Sequence, residues 1–112
     1  GAGQHPLLGA RLPAVPVTVR ERHSTSAALL RHGRGVLLDL DDNPWLRRRA
    51  APWRDRVDIV TARPTGDVPH DSSAVLLRPD GYVAWAAPGS HDDLPTALAR
   101  WFGPHRTGSQ ER

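Results

Sequence analysis

The run Gly35-Val36-Leu37-Leu38-Asp39-Leu40 restricts the fold more than any other segment. Its apolar residues do not alternate with polar ones, so a strand built from it must be covered on both faces. Such a strand lies inside a sheet, beside parallel neighbours, with other layers packed outside. The expectation is an α/β domain.

Length and composition agree. At 112 residues the chain is one domain with a modest single core. A hydrophobic share of 38% and a charged share of 24% suit a folded domain. No apolar run approaches the roughly 20 residues that cross a bilayer, so no membrane partner is expected. Gly1-Ala2-Gly3-Gln4 lacks the basic-then-apolar pattern of a signal peptide, and a cytoplasmic protein is expected.

The formal charge of +3 raises the question of nucleic acid. All 15 basic residues are arginine, scattered among the 12 acidic ones, and only Arg47-Arg48-Arg49 forms a run. Arginine-only usage beside abundant Ala, Pro and Gly is a coding bias, and arginine hardly deprotonates, which lifts the pI. No nucleic-acid partner is expected.

Along the chain, Pro6, Pro13 and Pro16 favour extended or turn structure. Val15, Val17 and Val19 alternate with Pro16, Thr18 and Arg20 as a half-buried strand does. Ser24, Thr25 or Ser26 can cap a short helix over Ala27–Arg31, which Gly33 can stop. The central strand comes next. Trp45 to Trp53 predicts a short helix, with Pro44 in its first turn and Pro52 near its end. Val57 to Ala62 is a further strand, and Arg63 to Ser73 reads as loop. Ala74–Arg78 and Tyr82–Ala86 flank Pro79-Asp80-Gly81, a turn in which proline presets φ and glycine takes positive φ. An antiparallel hairpin follows from that pattern. Ser90 to Asp93 offers caps for a last helix, where Leu94, Ala97, Leu98, Trp101 and Phe102 share one face and Trp101 is expected in the core. Gly103-Pro104 ends it.

The order is strand, helix, strand, helix, strand, loop, hairpin, helix. It predicts a thioredoxin-like fold: a mixed central sheet of about five strands, flanked by helices, with a C-terminal β-hairpin plus helix. Crossovers should make the early strands parallel. A thioredoxin-type redox site needs two cysteines just after the central strand, and the chain has none, so there is no CxxC. The expected division is a linker or docking segment over 1–14, the domain over 15–104 and a flexible tail over 105–112.

Other candidate chemistry is thin. His5, His23, His32, His70, His91 and His105 are far apart, and no pair has the i, i+4 spacing of a helical metal site. Asp39, Asp41 and Asp42 fall at the carboxyl end of the central strand, where ligands of open α/β sheets bind. They could serve as acid and base, or hold a cation, but Asp41-Asp42-Asn43-Pro44 also has the composition of a solvated turn and helix cap. No serine sits in a G-x-S-x-G elbow. Gly66-Asp67-Val68-Pro69-His70 has the glycine-aspartate step of flavin hydroxylases, yet proline stands where a helical residue is needed and no dinucleotide unit precedes it. Trp45, Trp53, Trp85 and Trp101 are spread over separate elements, as core and interface anchors are. No catalytic, cofactor-binding or metal-binding residue is assigned.

A resemblance covers nearly the whole chain, in order. His5-Pro6-Leu7-Leu8-Gly9-Ala10-Arg11-Leu12-Pro13, Gly33–Leu40, Trp53–Val60, Leu77–Trp85 and Leu98–Gly103 resemble successive parts of the C-terminal domain of FAD-dependent aromatic hydroxylases. These are the p-hydroxybenzoate-hydroxylase-like monooxygenases that act on polyketide and phenolic rings in actinomycetes. The resemblance implies a thioredoxin-like domain without the cysteine pair, serving packing or assembly. It also implies that FAD, NAD(P)H and the aromatic substrate are handled by the preceding domains of a longer parent chain. Those FAD-binding and substrate domains would be its partners, with further copies of the chain as a second class. No cofactor is expected in the fragment, and the fragment alone is expected not to be catalytic. Candidate interface residues are Leu7, Leu8, Trp45 and Trp85. The alternative is a free-standing, redox-inactive module that binds other proteins.

Overall fold

The computed structural model describes residues 6–88 and 93–104. In chain order its strands and helices are β1 (Pro16–Val19), β2 (Arg22–Thr25), β3 (Gly35–Asp39), α1 (Pro44–Ala50) and β4 (Val57–Thr61). β5 (Arg63–Pro64), β6 (Ala74–Leu77), β7 (Val83–Ala87) and α2 (Leu94–Phe102) follow.

All five residues of β3 are buried. It pairs in parallel with β4 and antiparallel with β6, and β7 completes the order β4-β3-β6-β7. A β3-α1-β4 crossover followed by a β6-β7 hairpin and α2 is the thioredoxin-like layout. Side chains of β3 alternate between two cores, as a pleated strand requires. Leu37 joins Leu76, Trp53, Ala97 and Leu98 on the side of the two helices. Val36 and Leu38 join Val15, Val17, Val75 and Leu77 on the other. Each fully buried leucine or valine here contributes about 1.5–3 kcal/mol relative to exposure.

The far face departs from expectation. One central sheet of about five strands, with helices on its faces, was the reading; the central sheet has four, and a second sheet has the order β2-β1-β5. Both α-helices cover one face, and the small sheet covers the other together with residues near Leu7. β1 is therefore not a parallel neighbour of β3. It pairs antiparallel with β2 and β5. The helix expected over Ala27–Arg31 is a single 3-10 turn, Ala28–Leu30. Ser26 is drawn elsewhere: its Oγ accepts from Val15 N–H at 2.8 Å and donates to the Pro13 carbonyl at 3.3 Å. Thr25 does cap the short turn, its Oγ1 accepting from Ala28 N–H at 3.1 Å.

The chain changes sheets at buried Ala62, between β4 and β5, where its N–H donates to the Asp39 carbonyl at 2.9 Å. In the β6-β7 hairpin Leu76 faces Trp85 but Leu77 faces Val83, so Ala84 is an extra, bulged residue. That bulge places Ala84 and Trp85 together in the helix-side core. The outer edge of β7 is covered by the preceding segment. Gly9 N–H donates to the Val83 carbonyl, Val83 N–H to the Ala10 carbonyl, and Leu12 N–H to the Gly81 carbonyl. Residues 6–12 are thus stitched to the sheet.

Phe102 lies against Gly35, where any Cβ would collide with its ring. α2 stops at Gly103, whose φ of 84° suits glycine. Arg56 Nη1 donates to the Phe102 carbonyl at 2.6 Å, and Trp53 Nε1 to the Gly103 carbonyl at 2.8 Å. These cationic and indole donors satisfy the carbonyls a helix end leaves over. The tail 105–112, His5, His91, His105 and Ser90 lie outside the described residues.

Replacing Leu37 with Ala is expected to lower the unfolding free energy by about 2–5 kcal/mol in urea titrations, because a cavity opens beneath both helices. A second expectation concerns pH. The Thr96 hydroxyl and backbone N–H, and then the Arg49 charge, hold the Asp93 carboxyl below the usual carboxylate range. Its stabilising effect is full above that range and lost as pH falls through the lowered value. Asp93→Asn should keep the cap and flatten melting temperature against pH below about 4.

Candidate functional site

Thioredoxin-like chemistry belongs at the carboxyl end of β3, before α1. Here Asp39 occupies that end and is completely buried. Its Oδ1 accepts from Asp41 N–H at 3.1 Å and its Oδ2 from Asn43 N–H at 2.8 Å. Arg47 Nη1, one turn into α1, reaches Oδ2 at 2.6 Å. The Asp39 hydrogen bond, more than the Asp42 one, holds Arg47 still more firmly protonated, against the opposing effect of burial. Asn43 caps α1, its Oδ1 accepting from Trp45 N–H and Leu46 N–H at 3.1 and 3.2 Å. Asp39 is thus the keystone of a strand-to-helix turn. Two backbone donors and a guanidinium already compensate its buried charge.

Beside this turn lies an open cleft of about 490 Å³, walled by Arg20, Glu21, Asp41, Asp42, Thr61 and Arg63. Of the expected acidic trio, Asp41 and Asp42 border it, whereas Asp39 is sealed beneath. Asp42 is exposed and pairs with Arg47 at 3.0 Å. The walls are surface side chains, and nothing there excludes water as acid–base chemistry requires. Among the described residues no group of three or more His, Cys, Asp or Glu could hold a metal ion. His23, His32 and His70 are exposed. Gly66 and Asp67 precede a 3-10 turn, Pro69–Asp71, rather than a helix.

The expected interface residues divide. Leu7 is buried in the far-side core and Trp85 in the helix-side core, so the domain's own packing consumes both. Leu8 is half-buried. Trp45 is 61% exposed, with the Arg48 and Arg49 guanidinium groups 6.0 and 5.9 Å from its ring centroid.

A second aromatic patch lies at the mouth of the β6-β7 hairpin. Arg78 N–H donates to the Tyr82 carbonyl, and Asp80 accepts from Tyr82 N–H and pairs with Arg78. This turn sets Tyr82 beside Arg78, whose guanidinium lies 5.6 Å from the Tyr82 centroid and 4.6 Å from that of Trp101. Arg11, in an isolated antiparallel bridge to Tyr82, approaches its ring at 5.9 Å. Trp101, expected in the core, is 45% exposed. Leu94, Ala97 and Leu98 fill the inward face of α2, and Phe102 takes the space over Gly35, leaving Trp101 to overhang the hairpin.

The family model for the C-terminal part of aromatic-ring hydroxylases matches residues 5–105. The chain belongs to that family. It is 43% identical over 108 residues to a 12-dehydrotetracycline 5-monooxygenase/anhydrotetracycline 6-monooxygenase of Streptomyces rimosus, covering 92% of this chain and 22% of that one. The structure of BexE, studied for oxidation during BE-7585A biosynthesis, superposes with a TM-score of 0.88 at 59% identity, over 95% of this chain and 22% of that one. The flavin-dependent monooxygenase PieE, solved with FAD and substrate, is 27% identical with a TM-score of 0.56, over 87% and 20% of the two chains. The chain therefore spans about a fifth of the length of the relatives it matches.

If Asp39 organises the turn, Asp39→Ala should destabilise by about 3 kcal/mol, since it leaves the Asp41 and Asn43 amides without their acceptor, and Arg47→Ala, which leaves the buried carboxylate without its cation, should destabilise in the same direction. Asp42→Asn, altering only the exposed pair, should stay within about 0.5 kcal/mol. Chemical denaturation of the three variants checks the order.

Proposed function

We propose that this chain is the non-catalytic, thioredoxin-like C-terminal domain of an FAD- and NAD(P)H-dependent aromatic-ring hydroxylase, and that it serves packing or assembly. One observation carries the reading: the strand end where a reactive pair would stand is closed by Asp39, with its amide and guanidinium donors spent on structure. The family match and the monooxygenase relatives supply the parent activity.

The described residues do not suit FAD. A flavin dinucleotide needs free amides at a helix N-terminus to receive its pyrophosphate. At α1 those of Trp45 and Leu46 already donate to Asn43, and the carboxylates of Asp41 and Asp42 would repel phosphate. FAD, NAD(P)H and the aromatic ring are assigned instead to the preceding FAD-binding and substrate domains, as PieE's bound FAD and substrate favour. Within the described residues no helix is long and apolar enough to cross a membrane.

Titrating FAD into the purified chain is expected to leave flavin fluorescence unchanged, and the protein should purify colourless. A yellow protein with stoichiometric flavin would overturn the reading. So would an upstream reading frame with no nucleotide-binding βαβ unit.

A further inference from the structure

We propose that the stacked ladder Arg11–Tyr82–Arg78–Trp101 is the surface through which this domain docks on the preceding domains of its own polypeptide. The inference rests on the proposed function and deepens it by naming the face that is used.

Three features single out the ladder. Its composition comes first. Tyr82 and Trp101 are exposed large aromatics, and Arg78 sits between them with its guanidinium near both rings. Tyrosine, tryptophan and arginine are the residues that dominate binding energy at protein interfaces. Stacking preorganises them, so little side-chain freedom remains to be lost on docking. The hairpin turn holds the set rigid: Asp80 pairs with Arg78 and accepts from Tyr82 N–H at 3.2 Å.

Connectivity comes second. Residues 9–12 run along the edge of β7, and Arg11 forms a bridge opposite Tyr82. The polypeptide that leads into the domain therefore lies against the patch and supplies one of its arginines. The relatives are some four to five times longer and this domain is their C-terminal part, so the rest of the polypeptide joins through the segment that carries Arg11.

Charge comes third. The ladder presents two guanidinium groups against one carboxylate, Asp80. Its complement is a face offering a carboxylate to Arg11 and Arg78 and an apolar recess to Trp101. The Trp45 patch lacks this continuity. It stands on the first turn of α1, at the Asp39 end of β3, whereas Phe102, next to Trp101, packs on the Gly35 end.

Hydroxyl-radical footprinting of the full-length protein, read by mass spectrometry, tests the surface, while bound flavin in the same sample tests the parent assignment. Docking predicts that Tyr82 and Trp101 oxidise at least about tenfold more slowly than in the urea-unfolded protein, because an interface core excludes water. Arg78→Glu should restore oxidation of both aromatics while flavin stays bound. Flavin-loaded protein in which both rings react within about threefold of the unfolded rate would overturn the docking surface and leave the parent assignment standing. Full-length protein without flavin or a nucleotide-binding unit would overturn both.

Discussion

Burial of β3 on both faces is the constraint from which the rest follows. Five consecutive buried residues demand two covering layers, and the chain supplies two of different kinds. The helices form one core around Leu37 and Leu76, and the small sheet forms another around Val36, Leu38 and Leu77. A chain of 112 residues can build two thin cores only because they share one sheet. Little side-chain mass is then left to line an enclosed cavity, and the cleft found beside β3 is open.

The same strand accounts for the turn built at its carboxyl end. Asp39 alternates to the helix side, where a carboxylate cannot stay unpaired. The fold meets that demand with Asp41 N–H, Asn43 N–H and Arg47, and in doing so fixes the start of α1. Structural and catalytic uses of such a group compete, since a proton carrier needs access to its substrate. In this domain the structural use has taken all of Asp39. The exposed Tyr82 and Trp101 lie elsewhere, on either side of Arg78.

Much of the layout was legible in the sequence, for physical reasons tied to particular residues. The unbroken apolar run placed β3, Pro79-Asp80-Gly81 placed the hairpin, and Asn43-Pro44 and Asp93 with Gly103 bounded the helices. The β1-β2 hairpin was hidden because Arg20 and Glu21 hold its positive-φ turn, at 49° and 68°, where Asn or Gly would have signalled one. Ser24-Thr25-Ser26 reads as a helix cap, yet only Thr25 caps, and what it caps is the single 3-10 turn Ala28–Leu30. Trp85, expected at an interface, is buried because its facing depends on the bulge at Ala84, which period-two counting cannot see. Trp101 was misjudged because helical spacing reports a face but not where the underlying sheet ends. At the candidate site, the turn-and-cap character of Asp41 to Pro44 was readable, whereas the Arg47–Asp39 pair and the Arg78 ladder required the tertiary fold.

The central claim is that the domain exists to be packed against. Differential scanning calorimetry of the full-length protein, with and without residues 6–104, addresses it most directly. Packing predicts one cooperative transition in the intact protein, coincident with flavin release, and a lower melting temperature for the flavin domains once residues 6–104 are removed. A separate transition for this domain, together with flavin domains that melt unchanged after its removal, would contradict the claim.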